Sequence, residues 1–391
     1  MIVFIASLMV LMCLLIHNRH VLSFEYKIFN PISTIVYFWM MVFICHYYYW
    51  GSFNSFNLLY WLIVSGIFTL SCGFWLSYSV PIEVDSTFYE YNPFFLEKYI
   101  QLFIFSSSCL LIYYIDVIVI GLAHGNWVCF FDNTSTSIRY AYLSYQASVT
   151  EKVFTFLLGL ISYLGYVILA IYVSKKLPKR GLYFFIVLLI ELLISIVTMS
   201  KLSFSMFLLS FFLTYINNLP TLYFQKKALK RLFPVLLLFL IGFFVFIGFQ
   251  RNYMETKGGL EEGVLNGIVN YFAGSLEAFR IVVDNGVDIS KLKNGMLDIG
   301  RAKTNVYTWF FYFYKAFSYV GILVFPFLIG VVSGRLYKPW KRSFFFDVSN
   351  TWIIVIFAFS FFDFLLKFTI FQTLFLMAWW IDKRFNKYIY E

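Results

Sequence analysis

The chain is 391 residues long, 61% hydrophobic and only 13% charged, with a formal net charge of +10. An ordinary soluble domain is about a quarter charged, so this composition lacks the polar surface to wrap one aqueous core. The apolar runs are continuous, which also excludes a transmembrane β-barrel, whose strands alternate apolar and polar positions over about ten residues.

In chain order, apolar runs fall at 1–16, 29–50, 57–79, 99–122, 153–174, 181–200, 202–218 and 232–249, then at 316–333, 344–362 and 366–381. Crossing about 30 Å of hydrocarbon takes about 20 helical residues, and the pattern predicts an all-α polytopic membrane protein of about 11 transmembrane helices. It reads as one membrane domain over 1–391. The first run opens without a basic n-region or a small-residue cleavage site and reads as a retained helix. The 344–381 stretch reads as two helices turning between Asp363 and Lys367, a pair spaced to face each other on a helix.

Basic residues gather between runs: Lys175, Lys176, Lys179 and Arg180; Lys226, Lys227, Lys230 and Arg231; Arg335, Lys338, Lys341 and Arg342. The positive-inside rule places these on the cytoplasmic side. Alternation then puts the tail with Lys383, Arg384 and Lys387 inside, and the N-terminus and the 251–303 loop outside. The acidic 80–98 segment (Glu83, Asp85, Glu90, Glu97) also falls inside, where acidic residues count little against topology. The basic balance therefore reports orientation, and no nucleic-acid partner is expected.

Five cysteines and four histidines are scattered without metal-ligand spacing, so no metal and no cofactor are expected. His46 precedes Tyr47-Tyr48-Tyr49-Trp50 and reads as a membrane-interface position. Asp116 and Glu191 lie inside apolar runs, where an ionisable group is costly. Each reads as a proton relay, a ligand contact, the partner of a buried base, or an interhelical hydrogen bond that fixes packing.

The 250–303 stretch breaks the pattern with seven basic and seven acidic residues. Gly258-Gly259 marks a turn among Glu255, Glu261 and Glu262. Residues 264–283 mix apolar positions with Asn266, Asn270, Ser275, Glu277 and Arg280, which predicts an interfacial or re-entrant helix. Arg251 ends the preceding apolar run at the outer surface. It reads either as a two-pronged phosphate clamp or as an anchor snorkelling to head groups.

The order of these features resembles the Wzy-type oligosaccharide repeat unit polymerases of bacterial O-antigen and capsule assembly. The residues that carry the likeness are Gly248-Phe249-Gln250-Arg251, Tyr271-Phe272-Ala273-Gly274-Ser275, and Thr304-Asn305-Val306-Tyr307-Thr308. Ala316-Phe317-Ser318-Tyr319-Val320-Gly321, Gly330 and Gly334-Arg335-Leu336-Tyr337 follow. Ala316 stands where the family has aspartate and Ser318 where it has glycine, so no catalytic role is assigned there. The motifs cover about 250–340; elsewhere only hydropathy and helix order agree.

The resemblance implies a GT-C-like glycosyltransferase of the bacterial inner membrane. It joins repeat units linked to undecaprenyl pyrophosphate on the periplasmic face and works beside a chain-length regulator and a flippase. Membrane lipid is its surroundings, and neither cofactor nor metal takes part. Stabilising the departing pyrophosphate is then the main task, which preorganised arginines perform well. Arg251 and Arg280 come first, with Arg301 and Lys303 next. A general base for the acceptor hydroxyl would be Glu255, Glu261, Glu262, Glu277 or Asp298. Glu277 also stands three residues before Arg280, where it would pair with it. Tyr253, Tyr271, Asn305, Tyr307 and Thr308 are the candidate sugar contacts. The rival readings are a lipid-linked oligosaccharide flippase and an O-antigen ligase; the lack of an internal repeat counts against the first.

Overall fold

The computed structural model describes residues 2–21, 30–50, 56–79, 90–121, 141–142, 145–198, 200–252, 273–284, 297–299, 303–304, 308–337, 343–361, 365 and 369–390. The helices are α1 Ile2–Val21, α2 Pro31–Trp50, α3 Phe56–Ser79, α4 Pro93–Gly121, α5 Val149–Ser174, α6 Arg180–Thr198, α7 Lys201–Asn217 and α8 Leu222–Asn252. Then come α9 over 273–284, a short antiparallel pair (β1 Leu297–Asp298, β2 Lys303–Thr304), α10 Trp309–Tyr337, α11 Phe344–Ala358 and α12 Thr369–Ile389. The protein is thus all-α, with six helices among the described residues long and apolar enough to cross a membrane and three shorter apolar ones. The 344–381 stretch forms two helices; Asp363 and Lys367 themselves lie outside the described residues.

The chain packs as two compact units. The first comprises Met1–Thr87, Leu265–Lys341 and Trp352–Lys367; the second comprises Phe88–Val264, Arg342–Thr351 and Phe368–Glu391.

In the first unit α2 begins on an Asn-Pro pair suited to the task. Asn30 Oδ1 accepts from the backbone of Ile32 at 2.8 Å, while Pro31 takes the first helical position, where no N–H is needed. The seam between α3 and α10 is built from glycines. A Cβ at Gly73 would stand 2.2 Å from the Phe327 carbonyl oxygen, and one at Gly330 would stand 2.1 Å from that of Leu70. Backbones this close require small residues, the usual device where lipid removes the hydrophobic drive for helix association. Aromatic rings fill the space beside the seam, with Trp39 edge-on to Phe310 at 5.4 Å and Trp309 against Phe357 at 5.5 Å.

The run expected over 316–333 is longer than its hydropathy suggests. α10 starts at Trp309 because Thr308 caps it, its Oγ1 accepting from Phe311 N at 3.3 Å. The helix then breaks at Phe317 (φ −143°, ψ 22°) and Ser318 (φ 53°, ψ −141°). Ser318 lies in a backbone region that is essentially glycine's. This is the position where the resemblance calls for glycine.

In the second unit α5 opens with a reciprocal cap: Ser148 Oγ accepts from Glu151 N at 3.3 Å, and Glu151 Oε2 accepts from Ser148 N at 2.6 Å. Tyr145 adds a hydrogen bond to the same carboxylate at 2.7 Å. One end of this unit gathers three segments. Glu90 lies 4.0 Å from Lys175, Tyr183 donates to Glu97 at 3.0 Å, and Asn92 N donates to the Ile389 carbonyl at 2.7 Å. The acidic 90–97 stretch, the basic turn after α5 and the end of α12 therefore meet at one end of the unit.

Candidate functional site

The 273–284 helix carries a polar cluster of the first unit. Its first seven residues are buried, and Ser275 Oγ fixes it by donating to the Phe361 carbonyl at 2.5 Å. The turn that supplies this carbonyl is itself pinned. Ser360 Oγ accepts from the Trp39 indole at 2.9 Å, and its carbonyl accepts from Trp309 N at 2.8 Å.

Held in this way, α9 aligns a chain of polar side chains. Arg280 donates through Nε to Glu277 Oε2 at 3.0 Å and through Nη2 to Glu277 Oε1 at 2.7 Å. This is the two-pronged pairing that guanidinium and carboxylate favour. Arg280 Nη1 also donates to Asp284 Oδ2 at 2.8 Å. On the inner side His46 Nε2 lies 3.1 Å from Glu277 Oε2, and His46 Nδ1 lies 2.9 Å from the Tyr60 hydroxyl. An ionised carboxylate only accepts, so Nε2 carries a proton; in the neutral imidazole Nδ1 then accepts from the Tyr60 O–H. Trp50 stacks on the imidazole at 5.4 Å and Phe43 meets Tyr60 edge-on at 4.7 Å.

Burial is graded along this chain. Side-chain exposure is 0% for His46, 3% for Glu277, 17% for Arg280 and 25% for Asp284. Burial alone would raise the Glu277 carboxyl; the hydrogen bonds and charges of His46 and Arg280 outweigh it and hold the group below its usual range. Arg280 is held above its usual value chiefly by its hydrogen bond to Glu277. Counting Glu277 and Asp284 against Arg280, with neutral His46, the cluster carries one net negative charge. What it offers chemically is a guanidinium whose position is set from inside and whose outer partner, Asp284, is partly exposed.

Of the residues singled out from sequence, Glu277 and Arg280 are brought together. Thr308 is fully buried and its hydroxyl caps α10. Arg251 lies in the last turn of α8, in the second unit, and Lys303 pairs through its backbone with Asp298; their side chains are outside the described residues. Tyr253, Glu255, Glu261, Glu262, Tyr271, Arg301, Asn305 and Tyr307 lie outside them too, as does 264–272 of the expected interfacial helix. Sequence reasoning missed His46, Tyr60 and Asp284. The last had a signal, since Asp284 stands four residues after Arg280. His46, read from the sequence as a membrane-interface position, is buried inside the protein with Glu277 against its polar edge.

No family model, curated protein or solved structure matches the chain.

Proposed function

We propose that the chain is a repeat-unit polymerase: a GT-C-like inner-membrane glycosyltransferase of about 11 spans, with the 251–303 loop on the periplasmic side. It joins undecaprenyl-pyrophosphate-linked oligosaccharides, the growing glycan leaving its lipid pyrophosphate for a hydroxyl of the incoming unit. The observation that carries this reading is the placement of Arg280, preorganised in the polar loop by a buried carboxylate that is tied in turn to His46. A guanidinium fixed before the substrate arrives stabilises a departing pyrophosphate without paying for reorganisation during the reaction.

Arg280 contacts the leaving group through its outer edge, and the phosphate displaces Asp284 from Nη1. Freed of Arg280, the Asp284 carboxylate stands beside the incoming acceptor and takes its proton. Glu277, held low by its two partners, is a poor base and serves as the positioning group. Arg251, which ends α8, is a second candidate for phosphate binding on its place in the sequence alone.

The test is the surface-glycan ladder of a strain lacking the gene, complemented with wild type or with Arg280→Ala, Arg280→Lys or Arg251→Ala. Loss of the gene collapses the ladder to core plus one repeat unit, wild type restores it, and neither alanine variant does. Arg280→Lys is impaired because an ammonium cannot make the two-pronged contact. A full ladder from Arg280→Ala would remove that residue from the reaction. The second reading is a flippase, favoured by the membrane-buried carboxyl of Glu191; it predicts loss of every repeat, with units stranded on the cytoplasmic face. Long chains retained on the lipid carrier would indicate a ligase.

A further inference from the structure

The second unit holds an acidic group that the reaction above does not use. Glu191, on α6, is 1% exposed, and among the described residues no basic side chain forms an ion pair with it. Its oxygens meet hydroxyls instead. Tyr166 donates to Oε2 at 3.0 Å, and Ser107 Oγ lies 3.2 Å from Oε1. Ser107 Oγ also lies 3.2 Å from Ser162 Oγ, which in turn lies 3.0 Å from the Leu158 carbonyl oxygen. Tyr166 is also joined to Ser203 on α7, and Tyr114 and Tyr163 stand within electrostatic reach of the carboxyl. The side chain of Lys201, also on α7, is outside the described residues.

Glu191 to Ser107, Ser107 to Ser162 and Ser162 to Leu158 are three contacts between oxygens, and the two serines bring only two hydroxyl protons. With Glu191 ionised, every assignment leaves one contact with two oxygens facing each other and no proton between them. With a proton on Oε1, all three are satisfied in one direction: Glu191 donates to Ser107, Ser107 to Ser162, and Ser162 to the backbone carbonyl. Oε2, as the carbonyl oxygen of the acid, accepts from Tyr166. A charge without a cation partner is also the costlier state for a buried carboxyl.

We infer that Glu191 is a proton-binding site within the membrane, occupied at neutral pH and read out by the packing of α4, α5 and α6. The ligand is the proton itself. Taking it away leaves one contact of the hydroxyl line without a proton and a carboxylate with no ion-pair partner among the described residues.

The test uses the full chain, purified in mild detergent, and needs no glycan, so it is independent of the polymerase reading. The infrared difference spectrum of wild type minus Glu191→Gln at pH 7 is expected to show the carbonyl stretch of a protonated carboxylic acid, shifted down in heavy water. In Ser107→Ala, where the acid loses its acceptor, that band moves to higher frequency. A difference spectrum containing only ionised carboxylate bands would overturn the inference, as would an acid band unmoved by Ser107→Ala. A Glu191→Gln protein that fails to fold also overturns it, because the amide is the neutral isostere of the acid and donates to Ser107 in its place.

Discussion

Replacing Glu277 by glutamine isolates the buried charge at the centre of α9, since it changes one atom and keeps the shape. In wild type Oε1 receives Arg280 Nη2 at 2.7 Å, while Oε2 receives Arg280 Nε at 3.0 Å and His46 Nε2 at 3.1 Å. Whichever way the amide is turned, its NH2 faces at least one N–H where an acceptor stood. Arg280 meanwhile loses its inner counter-charge. Removing one member of a buried ion pair costs about 3–5 kcal/mol; because Arg280 is part exposed and keeps Asp284, a loss of about 3 kcal/mol is expected here. In detergent-solubilised protein this lowers the thermal midpoint by roughly 4 °C, taking about 2.1 cal/mol/K of unfolding entropy per residue. Asp284→Asn, at the exposed end, costs under about 1 kcal/mol. Adding Arg280→Gln to Glu277→Gln costs less than the sum of the two, because the pair fails as a unit. A Glu277→Gln protein that melts within about 2 °C of wild type would refute the claim that this carboxylate anchors the site.

The same carboxylate sets an acid limit. Its folded pKa lies below the unfolded value, so its stabilisation is complete above about pH 4.3 and is lost as pH falls through the folded value. The wild-type midpoint should drop more steeply than that of Glu277→Gln between pH 5 and 3. Ser318 holds φ 53° and ψ −141°, a conformation that costs a non-glycine residue about 1–3 kcal/mol. Ser318→Gly should therefore raise the thermal midpoint and Ser318→Val lower it; equal midpoints for all three proteins would mean the kink is unstrained. A methyl added at Gly330 would lie 2.1 Å from a backbone oxygen of α3, whereas one at Gly242 meets nothing within 4 Å among the described residues. Gly330→Ala should cost about 1–3 kcal/mol and Gly242→Ala nothing or slightly less than nothing, measured as paired melting curves.

The helices were readable because burial in lipid demands long apolar runs, and α2 and α3 fall within a residue or two of the runs at 29–50 and 57–79. The start of α10 was less so, yet Thr308 before an aromatic run is a capping signal that hydropathy ignores. The break at Ser318 has no signal in this chain taken alone, since serine is an ordinary helix residue and the strain is imposed by packing. Glu277 and Arg280 were visible as an i, i+3 pair. Their inner partner was not, because His46 is 231 positions from Glu277 and no periodicity links them. Spacing rules report neighbours on one helix; a partner on another helix is fixed only by the fold.

That hidden partner changes what the sequence argument asked of Arg280. A free arginine at the membrane surface would bind any phosphate, including lipid head groups, and would select nothing. An arginine flanked by two carboxylates binds an anion only when that anion offers more than Asp284 does. A diphosphate presents more charge and more acceptor oxygens than a single carboxylate, so the exchange favours it over weaker anions. On the polymerase reading Asp284 is therefore a selectivity element, and Asp284→Asn should bind pyrophosphate more tightly while discriminating less against inorganic phosphate. Competition between the two anions, followed by calorimetry on the purified protein, measures that ratio. An unchanged ratio would place the pyrophosphate elsewhere, with Arg251 the next residue to test.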